Sequence, residues 1–186
     1  MLSPLVTHLA KRVPAQGNKD YVTGIALRDR VKKWLQDSGL YSTMSTQPGL
    51  VFMVQGRYPK TIPPGGQPLN FFVIQQEDDN SAISVVSNVV FNEQHKMLFS
   101  SLDEARRRQV LSEVQSALWF QCGFSFQQDE KTKEYLGIQL SDVIYTDSIE
   151  PLSKNSLLKV VGNLYRSYMF ISWKLQELTL QPPVER

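Results

Sequence analysis

The sequence predicts an α+β protein built on an antiparallel sheet of about five strands. Near the C-terminus, apolar residues recur at alternating spacings of four and three, which is the pattern of one helix face: Leu157, Val161, Leu164, Tyr168, Ile171, Leu175 and Leu178. Earlier in the chain, segments rich in β-branched and aromatic residues are joined by short polar turns. Short turns join antiparallel neighbours, because a parallel pair needs a long crossover. The predicted element order is α-β-β-β-α-β-β-α, with a further short helix at the N-terminus.

Composition indicates a chain that can bury a core. The 186 residues are 41% hydrophobic and 20% charged, and we predict an N-terminal arm over residues 1–18 and a single domain over residues 20–180. A net charge of +2 is too small to indicate a nucleic-acid-binding protein. The single cysteine, Cys122, cannot form an internal disulfide. We therefore expect a reducing compartment and a cytoplasmic location.

The N-terminal arm reads as a short amphipathic helix. Ser3 and Pro4 suit a helix start, because a hydroxyl can cap the first turn and proline is tolerated at the first helical position. Three interpretations stay open: the arm packs on its own domain, exchanges with a second copy, or contacts a membrane surface. Because this segment lacks a basic leader before a long apolar run, we expect no signal peptide. No apolar run reaches the ~20 residues that a transmembrane helix needs.

The first half of the domain begins with one helix. It runs from about Thr23, buries an apolar face, and ends at Gly39 in a left-handed conformation. Three strands follow, over Leu50–Gln55, Leu69–Gln76 and Ala82–Phe91. The second and third are predicted to form an antiparallel hairpin through the polar connection 77–80, while residues 57–68 form an irregular loop rich in proline and glycine.

The second half of the domain alternates again between helix and strands. Ser101 and Glu104 read as a capping box that opens a helix running to about Phe120. Two strands, Cys122–Gln127 and Leu136–Tyr145, come next. Ser153 is placed to open the long last helix.

Apolar residues occupy both faces of the predicted strands, which suggests that the sheet is covered on both sides. A sheet with one face in water alternates more cleanly between apolar and polar positions. The second face is therefore expected to contact the arm, a second subunit or a bound polypeptide. The candidate partner-binding residues lie on one sheet face and on a second apolar line of the last helix: Phe72, Ile74, Val86, Val90, Tyr165, Met169 and Trp173.

Catalytic groups are sparse in this sequence. Cys122 and His95 form one conceivable thiolate–imidazole dyad, but Cys122 opens a strand beside Gly123 and Phe124, where a small buried side chain is common. No spacing of Cys, His or carboxylate residues predicts a metal site, and no glycine-rich loop has the context of a phosphate site. We predict a protein that is not an enzyme and needs no cofactor or metal.

Two basic clusters support a competing hypothesis, a nucleic-acid-associated protein. Arg106, Arg107 and Arg108 occupy consecutive helical positions, so their charges spread around the helix. The basic residues of the first helix are spread in the same way: Arg28, Arg30, Lys32 and Lys33. Such runs are typical of solvated helix faces, so nucleic-acid binding is the alternative.

The element order resembles that of the class I type III secretion chaperones and the YbjN-like superfamily. The resemblance covers about Tyr21 to Leu178 and depends on the strand ending in Val-Val-Phe at 89–91, on the helix Ser101–Phe120 and on the segment CGFSF at 122–126. It implies a homodimer with apolar sheet patches that hold an extended client segment. The expected function is thus a dimeric, chaperone-like or adaptor protein that binds polypeptides. Secretion chaperones are usually smaller and acidic, whereas this chain is longer and slightly basic.

Overall fold

The computed structural model describes residues 24–61, 67–79, 81–146 and 152–180, and it confirms an α+β fold with an antiparallel sheet. The described helices are α1 Gly24–Asp37, α2 Glu93–Ser101, α3 Glu104–Leu118 and α4 Lys154–Leu180. The described strands are β1 Tyr41–Ser45, β2 Leu50–Tyr58, β3 Leu69–Gln76, β4 Ala82–Val90, β5 Gly123–Gln128 and β6 Tyr135–Tyr145. The predictions for the N-terminal arm lie outside the described residues.

The sheet has six strands in the order β1-β2-β3-β4-β6-β5, one more than the sequence predicts. The additional strand is β1, which pairs with β2 at the edge of the sheet. Most side chains of this strand, YSTMS, are exposed, and three of its five residues are small and polar. The sequence therefore shows no pattern of buried apolar residues here. The second strand is also longer than predicted, since β2 continues to Tyr58 and takes in the start of the expected loop.

The capping box at Ser101 is a wrong prediction, because a separate helix, α2, occupies residues 93–101. Asn92 caps α2, its Oδ1 accepting from the backbone N–H of His95 at 2.8 Å. Asp103 then caps α3, its Oδ1 accepting from the N–H of Arg106 at 2.8 Å. The Ser101 hydroxyl instead donates to the carbonyl of Leu98. The helix α2 thus ends at Ser101, and the helix α3 begins after Asp103, which is its N-cap.

Residues of all four described helices join one hydrophobic core with one face of the sheet, which we call the inner face. The sheet contributes fully buried residues such as Phe52, Phe71 and Leu140. Leu27, Val31 and Leu35 of α1 enter the same cluster. Glycine at position 39 has φ +68° and ends α1 in the predicted left-handed conformation.

The long helix α4 buries the predicted stripe with one exchange. Leu157, Val161, Leu164, Ile171, Leu175 and Leu178 are buried as expected. Between them Ser167 is the buried residue, while Tyr168 is half-buried. Both positions fit helical spacing, and the small serine is the one that meets the sheet side. Ser153 opens the helix as predicted, its Oγ accepting from the N–H of Ser156 at 3.1 Å.

Candidate protein-interaction surface

The side of the sheet that faces away from the helices, the outer face, carries a connected apolar patch. Strand register places Phe72 opposite Val86 and Ile74 opposite Met53, because directly paired residues share a face. Val143 continues the same row through Ser84. We call these residues the outer strip: Met53, which is buried, and Phe72, Ile74, Val86 and Val143, which are partly buried. None of the five belongs to the core cluster or packs against it within the described part of the chain.

The outer face is almost free of charge. The six strands together contain two charged residues, Arg57 and Asp142, and only Arg57 lies on the outer face, where it pairs with Asn70 at one end. Hydroxyl and amide side chains surround the outer strip, among them Gln55, Ser84, Ser141 and Gln139. The surface therefore offers apolar contacts at its centre and neutral hydrogen-bonding groups around them.

The seven predicted contact residues separate into two sets on opposite sides of the sheet. Phe72, Ile74 and Val86 lie together in the outer strip, and Val90 is 73% exposed at the end of β4. The other three lie on α4, in the helix layer that covers the inner face. The structure thus brings the strand residues together but does not join them to the helix residues.

The three helix residues have different surroundings. Tyr165 is half-buried, with its ring 5.0 Å from that of Tyr58 in an edge-to-face contact. Met169 and Trp173 are 44% and 56% exposed. The Trp173 ring lies 6.0 Å from that of Phe170. Tyr165 therefore serves the packing of the helix layer, whereas Met169 and Trp173 form a small exposed apolar site.

Cys122 and His95 have separate surroundings. The Cys122 thiol donates to the Ser167 hydroxyl at 3.4 Å, and that hydroxyl donates to Gln121 at 3.1 Å. Burial raises the pKa of Cys122, which disfavours a thiolate. His95 rests instead against the Phe91 ring at 6.2 Å, and burial lowers its pKa. These contacts are those of packed side chains rather than of a dyad.

The three consecutive arginines of α3 are engaged within the protein. Arg107 donates to the carbonyls of Phe99 and Leu102, at 3.2 and 2.9 Å, and so holds the C-terminal end of α2. Arg106 donates to Gln109, and Arg108 pairs with Glu104 on the same helix. Their guanidinium groups point to different partners, so they do not form one phosphate-binding surface.

Two exposed aromatic residues were not among the predicted contacts. Trp119 and Phe120 follow α3 and are 71% and 94% exposed. An adjacent pair of aromatic residues directly after an amphipathic helix was the only available signal, and the helix was predicted to include them. Met53 and Val143 of the outer strip were also missed, because local sequence patterns do not show which strands lie side by side.

No other binding chemistry stands out in the described ranges. Within residues 24–61, 67–79, 81–146 and 152–180, no group of three His, Cys, Asp or Glu side chains is placed to hold a metal ion. The helices of these ranges are each too short or too polar to span a bilayer. A groove of about 400 Å³ lies between the α2–α3 junction and the β5–β6 hairpin, and Arg107 in its wall already binds backbone carbonyls.

The fold and the outer face define an α+β protein with one antiparallel sheet, helices on one side and a neutral apolar patch on the other. The chain belongs to the family of uncharacterized conserved proteins described as DUF2299, whose model matches residues 27–175. A crystal structure of an uncharacterized protein from Methanothermobacter thermautotrophicus is similar, with a TM-score of 0.67, 21% identity and coverage of 81% of this chain and 96% of that chain. That likeness shows the fold alone. A comparison with curated proteins found no match.

Proposed function

We propose that this protein is a non-enzymatic, polypeptide-binding module, chaperone-like or adaptor-like, that acts as a dimer in a reducing, cytoplasmic compartment. The observation that carries the proposal is the outer strip. It is an apolar surface that crosses four strands and that no described helix covers. A connected apolar surface of this kind, rimmed by polar residues, is typical of a protein-binding site.

The chemistry of the outer face favours a polypeptide over other ligands. A nucleic acid needs converging cations, and Arg57 is the single cation on the strands. A small molecule is usually held in a concave pocket, whereas the outer strip is the open face of a sheet. Apolar side chains bordered by glutamine and serine suit a partner segment that supplies its own apolar residues and backbone hydrogen bonds.

The polar groups of the core support a binding role rather than catalysis. The one thiol is half-buried, hydrogen-bonded to Ser167, and has a raised pKa. The type III secretion chaperone resemblance rests on the predicted element order, to which the structure adds β1 and α2, and a binding role and a dimer are what that resemblance implies. The family model that matches the chain is a different one.

The outer strip is tested by two matched double variants. Phe72→Ser with Val86→Ser removes apolar surface from the outer strip, and Met169→Ser with Trp173→Ser does so on α4. An array of immobilised peptides of mixed apolar and neutral polar sequence provides the ligands. Because a few apolar residues dominate most interfaces, we expect the outer-strip variant to bind its best peptides at least about tenfold more weakly.

The α4 variant is expected to bind the same peptides as the wild type does. Circular dichroism and thermal melting of both variants establish that folding is retained, since all four positions lie outside the core cluster. Equal binding by the two variants and the wild type would contradict the proposed site. Absence of binding to every peptide by the wild type would contradict the proposed function.

A further inference from the structure

The strand β5 is an open edge of the sheet. It is last in the strand order, and among the described strands it pairs with β6 alone. In an antiparallel edge strand, every second residue directs its N–H and C=O groups away from the neighbouring strand. These groups form a ready template for another strand.

The sequence of β5, GFSFQQ, lacks two of the usual devices that protect an edge, charge and proline. Its pairing with β6 is regular from Gly123 to Gln127. The opposite edge, β1, is different. Both edges have a register shift at one end, between Tyr41 and Thr43 in β1 and between Gln127 and Gln128 in β5, but regular pairing covers only Thr43–Ser45 in β1, against Gly123–Gln127 in β5.

We propose that β5 pairs antiparallel with β5 of a second copy of this chain, around a two-fold axis at Ser125. The two six-stranded sheets then form one continuous sheet. In this register Ser125 lies opposite Ser125 of the partner subunit, and Phe124 lies opposite Phe126 of the partner subunit. Gly123 lies opposite Gln127 of the partner subunit. The inference deepens the proposed function, because it assigns the dimer contact that the proposal requires.

A second copy fits this edge because the edge is neutral and self-complementary. A two-fold contact pairs the strand with its own copy, so a strand whose charges are all of one sign would repel itself. Phe124 and Phe126 lie on the inner side, 6.0 Å apart in an edge-to-face arrangement, and aromatic pairs across strands stabilise such pairing. The small Ser125 lies on the outer side, where it leaves space at the axis.

An exposed aromatic pair is close in sequence to this edge. Trp119 and Phe120 come just before β5, and their exposures of 71% and 94% are unusual for such large apolar side chains. They lie four and three residues before the first residue of β5. The outer strip stays free in this arrangement, so each dimer presents two strips on one side of one sheet.

Cysteine cross-linking tests the register directly. In a Cys122→Ser background, which keeps a hydroxyl beside Ser167, Ser125→Cys places two thiols opposite each other at the axis. Opposite residues of antiparallel strands have Cα atoms ~4.5–5.5 Å apart, within the range that a disulfide accepts. We expect mild oxidation to produce a covalent dimer. The matched control is Ser42→Cys, an exposed position on the other edge, β1, which is expected to stay largely monomeric.

A charge at the same position tests the contact without cysteine chemistry. Ser125→Lys sets two like charges against each other across the axis, and sedimentation equilibrium is expected to show a dissociation constant raised about tenfold or more. Ser42→Lys is expected to leave it unchanged. A wild-type monomer, or a Ser125→Lys dimer as tight as the wild type together with no Ser125→Cys cross-link, would overturn the inference.

The peptide array separates this inference from the proposed function. Ser125→Lys leaves the outer strip intact, so it is expected to keep peptide binding while losing the dimer. The Phe72→Ser, Val86→Ser variant is expected to keep the dimer while losing peptide binding. Loss of both properties in both variants would show that the dimer contact and the peptide site are one surface, and would overturn the separate β5 contact.

Discussion

The inner and outer faces of the sheet differ sharply although the same strands form both. Phe71 is fully buried on the inner face, while its neighbour Phe72 is only partly buried on the outer face and lies outside the core cluster. Val85 and Val86 show the same contrast in β4. Apolar residues thus occur at both parities, but the described helices cover only one of them. Apolar content alone therefore does not identify the core, because a strand residue is buried in the core only where the helices cover its face of the sheet.

The largest expected effect comes from truncating each of the two neighbouring phenylalanines. Phe71→Ala leaves a cavity under the helices, and we expect the free energy of unfolding to fall by about 3–5 kcal/mol. Phe72→Ala removes a side chain that has no core contacts, and we expect a loss of about 1 kcal/mol or less. Urea denaturation of both variants measures the difference. Equal losses would show that something covers the outer face as completely as the helices cover the inner one.

A smaller loss of stability is expected from adding a methyl group at Gly56, on the inner face of β2. Gly56 pairs with Phe71, and a Cβ at this position would come 2.3 Å from Cζ of the Phe71 ring. Gly56→Ala therefore forces the ring to move, and we expect a destabilisation of about 1–3 kcal/mol. Gly162→Ala on α4 is the control, because a Cβ there has no neighbour within 4 Å. That change is expected to stabilise the helix by up to about 1 kcal/mol.

The smallest expected effect on stability concerns Asp142, the one charged side chain that the described strands place on the inner face, where it pairs with Val85 of β4. Burial raises its pKa above the ordinary 3.8. The folded state thus holds this proton more tightly than the unfolded state does. The protonated carboxyl therefore stabilises the folded state at a pH below the pKa of the unfolded chain. That stabilisation is lost as the pH rises through the pKa of the folded state. Asp142→Asn removes this dependence.

Thermal melting between pH 3 and pH 7 checks the Asp142 prediction. At pH 7 we expect Asp142→Asn to melt about 1–3 °C higher than the wild type, and at pH 3 the two are expected to coincide. The hydrogen bond from the Val143 N–H to the side-chain oxygen can persist with asparagine. A variant that melts lower at pH 7 would show that the carboxylate contributes a favourable contact in the folded state.

Sequence reasoning recovered those parts of the fold in which burial imposes a clear period. The helices α1 and α4 and the strands β2, β3, β4 and β6 have apolar residues at helical or strand spacing, and their predicted bounds are close to the observed ones. The missed elements lack that signal. Only Phe99 is buried in α2, and β1 contains no buried residue, so neither carries an apolar stripe.

The candidate site was recovered in part for a related reason. Phe72, Ile74 and Val86 were identified because apolar residues occupy both parities of their strands. Their partners Met53 and Val143 depend on which strands lie side by side, and β4 pairs with the distant β6. The edge position of β5 also follows from this strand order, which local patterns do not contain. The composition of the outer strip therefore depends on pairing between strands that are distant in sequence.

The pairing of β4 with β6 has a consequence for how the chain folds. Ala82 lies opposite Tyr145, so this junction joins residues far apart in sequence, whereas β2–β3 and β3–β4 connect neighbours along the chain. Forming the junction closes a long loop at an entropic cost before its contacts can compensate. We expect the two halves of the molecule to reach their native structure together, in the folding step that pairs β4 with β6.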